Sequence, residues 1–244
     1  ENHGLLKITD RPQWQTVRGG SKEYVSRLVE DANFEIRAKT EISDVTRHKG
    51  LVTCTDSEGK SESFDNVVIA THADQALAIL REPSEQEIRI LSPFKYSTNN
   101  AWLHQDARLM PKRRNAWASW NYVESERGSN NSASVTYWMN QLQNIVRPKN
   151  IFVSLNPAVA PKAESVIEKY VYTHPIFTQD TLDAQIKSVE IQGKNNTWFC
   201  GSYLGHGFHE DGVQAGLWVA QQFKSGPNWL PGIPWDRIPR SYEQ

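Results

Sequence analysis

With 244 residues, 27 basic and 28 acidic side chains, the chain has a formal net charge of −1, which leaves no general electrostatic case for a nucleic-acid partner. The length allows one large domain or two small ones around a substantial core, and no apolar run approaches the roughly 18 residues of a membrane span. Two cysteines, Cys54 and Cys200, each lie in an apolar strand-like run and read as reduced core thiols, which suits a cytoplasmic protein.

Residues 1–11 are polar and irregular. Ser21 is a plausible N-cap for a helix that puts Tyr24, Val25, Leu28 and Val29 on one face and stops near Asn33. The period then changes to two. Residues 34–37, 41–47, 51–55 and 64–70 are strand candidates forming a small meander that ends in the apolar run Val67-Val68-Ile69-Ala70. Two short helices follow at 74–80 and 84–91, the second opened by Pro83-Ser84. Strands at 97–104, 116–123, 134–142 and 151–155 suggest an antiparallel sheet, with 125–132 a polar hairpin tip. A helix at 178–188 leads on to the strand-like Trp198-Phe199-Cys200, and the tail after Phe223 reads as coil.

The most informative stretch is 198–220. A strand is followed by a loop carrying Gly201, Gly205, Gly207 and Gly212, then by a helix with Val213, Gly216, Leu217 and Ala220 on one face. That helix is expected to begin near Asp211 or Gly212. A helix N-terminus presents backbone N–H groups at the positive end of its dipole, which suits a phosphate or an electron-rich carbonyl. His206, His209, Glu210 and Asp211 also admit a metal-ligand reading, since imidazole and carboxylate bind Zn²⁺ or Fe²⁺. The glycine placement favours the former, and no metal is expected. The nine tryptophans fit either core packing or an aromatic-lined pocket.

Phe199-Cys200-Gly201 followed by Gly212-Val213-Gln214-Ala215-Gly216 resembles the last FAD-binding segment of flavin-containing amine oxidases. Gly207-Phe208-His209-Glu210-Asp211-Gly212, the run from Arg11 to Gly20, and Trp117-Ala118-Ser119-Trp120-Asn121-Tyr122 resemble a bacterial branch of NAD/FAD-binding proteins associated with cyclopropane-fatty-acid synthesis. The resemblance implies an α/β (α+β) fold: an incomplete FAD/NAD(P)-binding domain and a mixed or antiparallel β-sheet substrate domain. No G-x-G-x-x-G follows a strand, so the N-terminal Rossmann βαβ is expected to lie in a missing N-terminal half, with this chain the C-terminal part of a longer flavoprotein. Residues 1–11 would end a missing substrate-domain segment, 12–92 and 178–226 would belong to the FAD domain, 93–177 to the substrate domain, and 227–244 to a coil tail.

By the same resemblance Ile42 packs on the adenine with Ala70 and Thr71 nearby. Gly201, Ser202, Glu210, Asp211, Gly212 and Val213 hold the flavin end, the Val213 N–H facing its C2 carbonyl. His209 flanks the ring. Two departures from the amine-oxidase pattern stand out. Ser202 replaces a usual Glu, and the strand that often carries a Lys instead carries His104 and Asp106. His209 and His104 are the candidate catalytic residues. The implied activity is FAD-dependent hydride transfer, with a fatty-acyl substrate. A flavin amine oxidase and a non-catalytic module are the alternatives, and the chain alone is expected to bind FAD weakly or not at all and to be inactive. The basic cluster Lys112-Arg113-Arg114 reads as a solvated turn or as a peripheral contact with anionic lipid.

Overall fold

Local patterning sets most of the elements of the computed structural model, which describes residues 9, 15–123 and 134–227. Residues 1–8, the first four residues of the Arg11 motif, the hairpin tip at 125–132 and the tail from 228 fall outside them. In chain order the elements are α1 (Lys22–Glu30), β1 (Ile42–His48), β2 (Leu51–Asp56), β3 (Ser61–Phe64), β4 (Val67–Ile69), α2 (Ala73–Ile79) and α3 (Glu85–Leu91). There follow β5 (Lys95–His104), β6 (Trp120–Val123), β7 (Ser134–Trp138), α4 (Met139–Leu142) and β8 (Phe152–Leu155). The series ends with β9 (Val166–Ile176), α5 (Gln179–Lys187), β10 (Thr197–Phe199) and α6 (His209–Gln222).

Two compact units divide the chain, Glu1–Ala38 with Trp102–Lys169 and Lys39–Ala101 with Tyr170–Gln244. The sequence division placed these borders at 92/93 and 177/178 and grouped residues 12–38 with the FAD domain. Two borders of the compact units fall inside β5 and β9, and a third lies between Ala38 and Lys39.

In the second unit β1, β2 and β3 form an antiparallel meander, with Val45 opposite Cys54 and Val52 opposite Phe64. β4 leaves it to pair in parallel with β10. Val45, Val52, Ile69, Ala73, Ala76, Ile90, Phe94, Phe199, Ala215 and Val219 form one buried core, so meander, helices and parallel pair share a single apolar centre. Ser84 and Glu87 close a capping box on α3: Ser84 N–H donates to Glu87 Oε2 at 2.7 Å and Glu87 N–H to Ser84 Oγ at 3.3 Å. Arg47 donates to Glu87 Oε1 at 2.5 Å and to the Glu82 carbonyl at 2.6 Å, joining β1 to the start of that helix. Both cysteines are free, and burial pushes their thiols up.

In the first unit α1 forms as its periodicity predicts, but Ser21 makes no side-chain cap bond and no residue of the helix is buried. The expected strand at 34–37 does not form. Phe34 is 70% exposed, and no strand pairs with the run, without which so short a segment has no ladder to hold it. The expected strand at 134–142 turns into α4 after Trp138, where Asn140 Oδ1 accepts from Ile151 N–H at 2.7 Å. Strands β6, β7, β8, β5 and β9 lie in that order in one sheet. β9 had no place in the sequence reading, although Val166, Ile167, Tyr170, Val171, Tyr172 and Thr173 give it β-branched and aromatic content. Among the described residues no helix is long and apolar enough to cross a membrane.

Candidate functional site

Because β4 and β10 run parallel, their carboxyl ends open on one edge. The register pairs Thr197 with Val67 and Phe199 with Ile69, and Cys200 N–H donates to Ile69 O at 3.1 Å. Ala70 and Thr71 on one strand therefore leave the sheet beside Gly201 and Ser202 on the other. A Cβ on Gly201 would lie 2.7 Å from the Tyr203 ring and 3.6 Å from the Thr71 carbonyl oxygen, so a side chain has no room there. Open parallel sheets bind ligands outside such carboxyl ends.

The loop between β10 and α6 is tied internally. Gly205 and Gly207 N–H groups donate to Ser202 O at 3.1 and 3.0 Å, and Gln185 Nε2 donates to the carbonyls of Tyr203 and Gly205 at 2.8 and 2.6 Å. Burial pushes the Tyr203 phenol far above its usual range. Among the described residues its hydroxyl and Gln214 Oε1 are buried without hydrogen-bond partners, which marks a polar demand inside this loop and helix.

The expected start of the last helix at Asp211 or Gly212 is corrected. Gly212 N–H already donates to Phe208 O at 3.2 Å, so the helix opens at His209. The amides left over by helix geometry are those of the turn containing His209 and Glu210, not that of Val213. Asp211, expected on the cofactor, is fully buried and accepts from Phe208 N–H at 2.7 Å. Its carboxylate closes the first turn and stands near the positive end of the dipole.

The structure brings Ala70, Thr71, Gly201, Ser202 and the α6 N-terminus together: a Cβ on Gly212 would lie 3.8 Å from the Ser202 nitrogen. His209 and Glu210 are exposed, Val213 is half exposed, and Glu210 accepts from Gln214 Nε2 at 2.9 Å. Ile42 opens β1 and is partly exposed. That strand is tied to the chain after α2 further along, where Arg81 N–H donates to Val45 O at 3.1 Å. The missing Cβ at Gly201 and the first-turn amides of a fourteen-residue helix are space and donors that fit a flavin dinucleotide, while the Thr71 hydroxyl, donating to His72 O, has its lone pairs left to accept.

His104 lies in the other unit and is wholly buried. Its Nδ1 accepts from Asp106 N–H at 3.1 Å, so the neutral ring carries its proton on Nε2, 2.8 Å from Ser154 Oγ, which continues to Thr136 Oγ1 at 2.7 Å. Both ring nitrogens are thus engaged, and the chain of bonds links β5 to β8 and β7. Burial lowers the His104 pKa against the opposing pull of Asp106. Arg108, with the backbone N–H groups of Lys162 and Arg108, holds the Asp106 carboxyl well below the usual carboxylate range.

A lowered histidine pKa means that below the ordinary value of 6.5 the unfolded chain binds a proton that the native state refuses. Stability contributed by neutral His104 is therefore full above that value and falls as pH drops toward the lower native value. Urea midpoints measured between about pH 8 and pH 5.5 should decline in the parent, and His104→Gln should flatten that decline. An equal decline in the variant would contradict the assignment.

Of the H-x-x-H group, Asp211 and Glu210 have separate protein partners, and among the described residues no cluster of three or more His, Cys, Asp or Glu side chains is arranged for a metal ion. In the basic cluster the Arg114 guanidinium lies 3.9 Å from the Trp117 ring centroid and 4.9 Å from that of Trp138, leaving Lys112 and Arg113 as exposed cations. A cavity of about 330 Å³ is lined by Thr46, Arg47, His48, Arg81, Glu82 and Asn195, none of which the sequence singled out.

No protein-family model and no curated protein matches the chain. Solved structures do. A CLA-producing fatty acid isomerase from P. acnes superposes with a TM-score of 0.60 at 15% identity, covering 84% of this chain and 52% of that one. Reduced UDP-galactopyranose mutase gives 0.59 at 12%, covering 91% and 56%. Putrescine oxidase bound to putrescine gives 0.57 at 12%, covering 84% and 53%. The chain thus spans about half the length of these structures, and its mixed helices and antiparallel sheets have the fold of part of an FAD-dependent oxidoreductase.

Proposed function

We propose that the chain supplies the flavin-ring end of the cofactor site in an FAD-dependent oxidoreductase, together with part of its substrate domain. The observation that carries this reading is the meeting of the β4 and β10 carboxyl ends with the N-terminus of α6 at Gly201, where a Cβ has no room. When bound, FAD supplies a two-electron acceptor for a hydride from the substrate. Gly201 and Ser202 give it close backbone approach, the Thr71 hydroxyl and Ile42 offer further contacts, and the first-turn amides at His209 and Glu210 stabilise negative charge. Exposed His209 stands in the same turn, beside that charge.

Fatty-acyl chains are the proposed substrate class, supported by the fatty acid isomerase among the structural neighbours and suggested by the resemblance of the sequence motifs to the cyclopropane-associated branch. Amine oxidation is the second reading, favoured by the putrescine oxidase likeness. Exposed Lys112 and Arg113 suit a peripheral contact with anionic lipid.

FAD is held in large part through its ADP moiety, whose fingerprint this sequence lacks. The expected result is that the chain alone purifies colourless and binds added FAD weakly, whereas a longer protein containing it carries FAD. Absorbance and fluorescence after denaturation measure both, and a longer protein without flavin sinks the assignment. Hydrogen peroxide release with a panel of amines, set against mass spectrometry of acyl chains, separates the two substrate classes.

A further inference from the structure

His104, His209 and His72 differ in what their ring nitrogens already do. His104 has both committed, and exposed His209 has neither held among the described residues. His72 stands between these cases, directly after Thr71 at the end of β4. Its ring stacks on Tyr96 with centroids 4.3 Å apart and planes 9° from parallel. Tyr96 is itself fixed, its hydroxyl accepting from Ala73 N–H at 3.0 Å. His72 Nδ1 lies 3.4 Å from Thr173 Oγ1, and among the described residues Nε2 has no partner.

The backbone around this ring is equally settled. His72 N–H donates to Gln75 Oε1 at 3.2 Å, and the Thr71 hydroxyl donates to His72 O at 3.1 Å. The neighbouring Thr71 carbonyl is the one that a Cβ on Gly201 would approach to 3.6 Å. A half-buried imidazole, clamped on one face and at one nitrogen, thus stands at the same carboxyl edge with its other nitrogen open. Such pre-organisation is what proton transfer requires, because the orienting entropy is spent in folding.

We propose that His72 is the proton-exchanging side chain of this edge. With Nδ1–H donating to Thr173, the Nε2 lone pair takes a proton from an O–H or N–H group of a substrate or cofactor seated beyond β4 and β10. The products are the conjugate base of that group and a His72 imidazolium, which returns its proton through the same nitrogen. This rests on the flavin reading of the edge. Of the other titratable groups, Tyr96 on β5 is in ring contact, Asp74 on α2 acts on Tyr96, and His174 on β9, next to Thr173, has its Nδ1 2.9 Å from Asn99 Nδ2. Burial pushes Tyr96 up to about 12, so it stays a neutral phenol near neutral pH.

The test uses the FAD-carrying protein that contains this chain and records its flavin absorption from about pH 5.5 to 8.5, the range in which histidine titrates. A spectral midpoint in that range is expected in the parent, absent from His72→Gln and displaced in Thr173→Val, with circular dichroism verifying that each variant folds. A parent without a midpoint, or one retained unchanged in His72→Gln, overturns the proposal. Retention there with loss in His209→Gln overturns it while leaving the flavin reading standing. A parent protein without bound flavin removes both.

Discussion

Replacing Arg47 by alanine is expected to destabilise the second unit by about 3–5 kcal/mol, the usual cost of stripping one partner from a buried ion pair. The Arg47 side chain is 9% exposed and that of Glu87 1%. Glu87 Oε2 also accepts from Ser84 N–H and Oγ, at 2.7 and 2.9 Å. Losing the guanidinium therefore leaves a buried carboxylate with capping bonds alone, and the Glu82 carbonyl loses its 2.6 Å donor. Urea denaturation of Arg47→Ala should show a lowered midpoint with little change in slope. The double variant Arg47→Met with Glu87→Gln should be less damaged than the sum of the single changes, since no unpaired charge remains. A loss below about 1 kcal/mol in Arg47→Ala, the range of exposed pairs, would mean that water reaches the site.

The second large effect is expected at the entrance to α6. Asp211→Ala removes a fully buried carboxylate and leaves Phe208 N–H without its 2.7 Å acceptor. The lost N-terminal cap costs about 0.5–2 kcal/mol. Gly205→Ala should do comparable damage by another route, because its Cβ would lie 2.6 Å from Asp211 Oδ1. The two sites share one space, so the double alanine variant should cost markedly less than the sum. Strict additivity in thermal or urea unfolding would show that the contact is not made. Hydrogen exchange at the first turn of α6 should also speed up in either single variant, and with it FAD affinity should fall.

Glycine spacing and hydrophobic period announced the strand, loop and helix of 198–220, and a period of two announced the meander. These signals are local: a capping box such as Ser84 with Glu87, or a period of two against 3.6, needs only neighbours in sequence. The helix start was misplaced because Gly212 reads as an initiator on the page. Phe208 and Asp211 set the true boundary through a bond within the first turn, whose strength depends on Asp211 being buried. β9 was passed over because its apolar side chains do not alternate cleanly with polar ones. His104 was singled out because its strand resembles the one that often carries a Lys in amine oxidases, and strand position does not reveal whether a ring nitrogen is open.

What the sequence determined by itself is the set of elements with clean local signals, the meander, α2, α3 and the strand, glycine loop and helix of 198–220, since these follow from periodicity and from the absence of a Cβ. The tertiary structure alone decided which polar groups are spoken for. Arg47 meets Glu87 across 40 residues, His104 meets Ser154 across 50, and His72 meets Thr173 across 101. The reason is physical: a hydrogen bond fixes its partner only within about 3 Å, a distance set by packing between segments far apart in the chain.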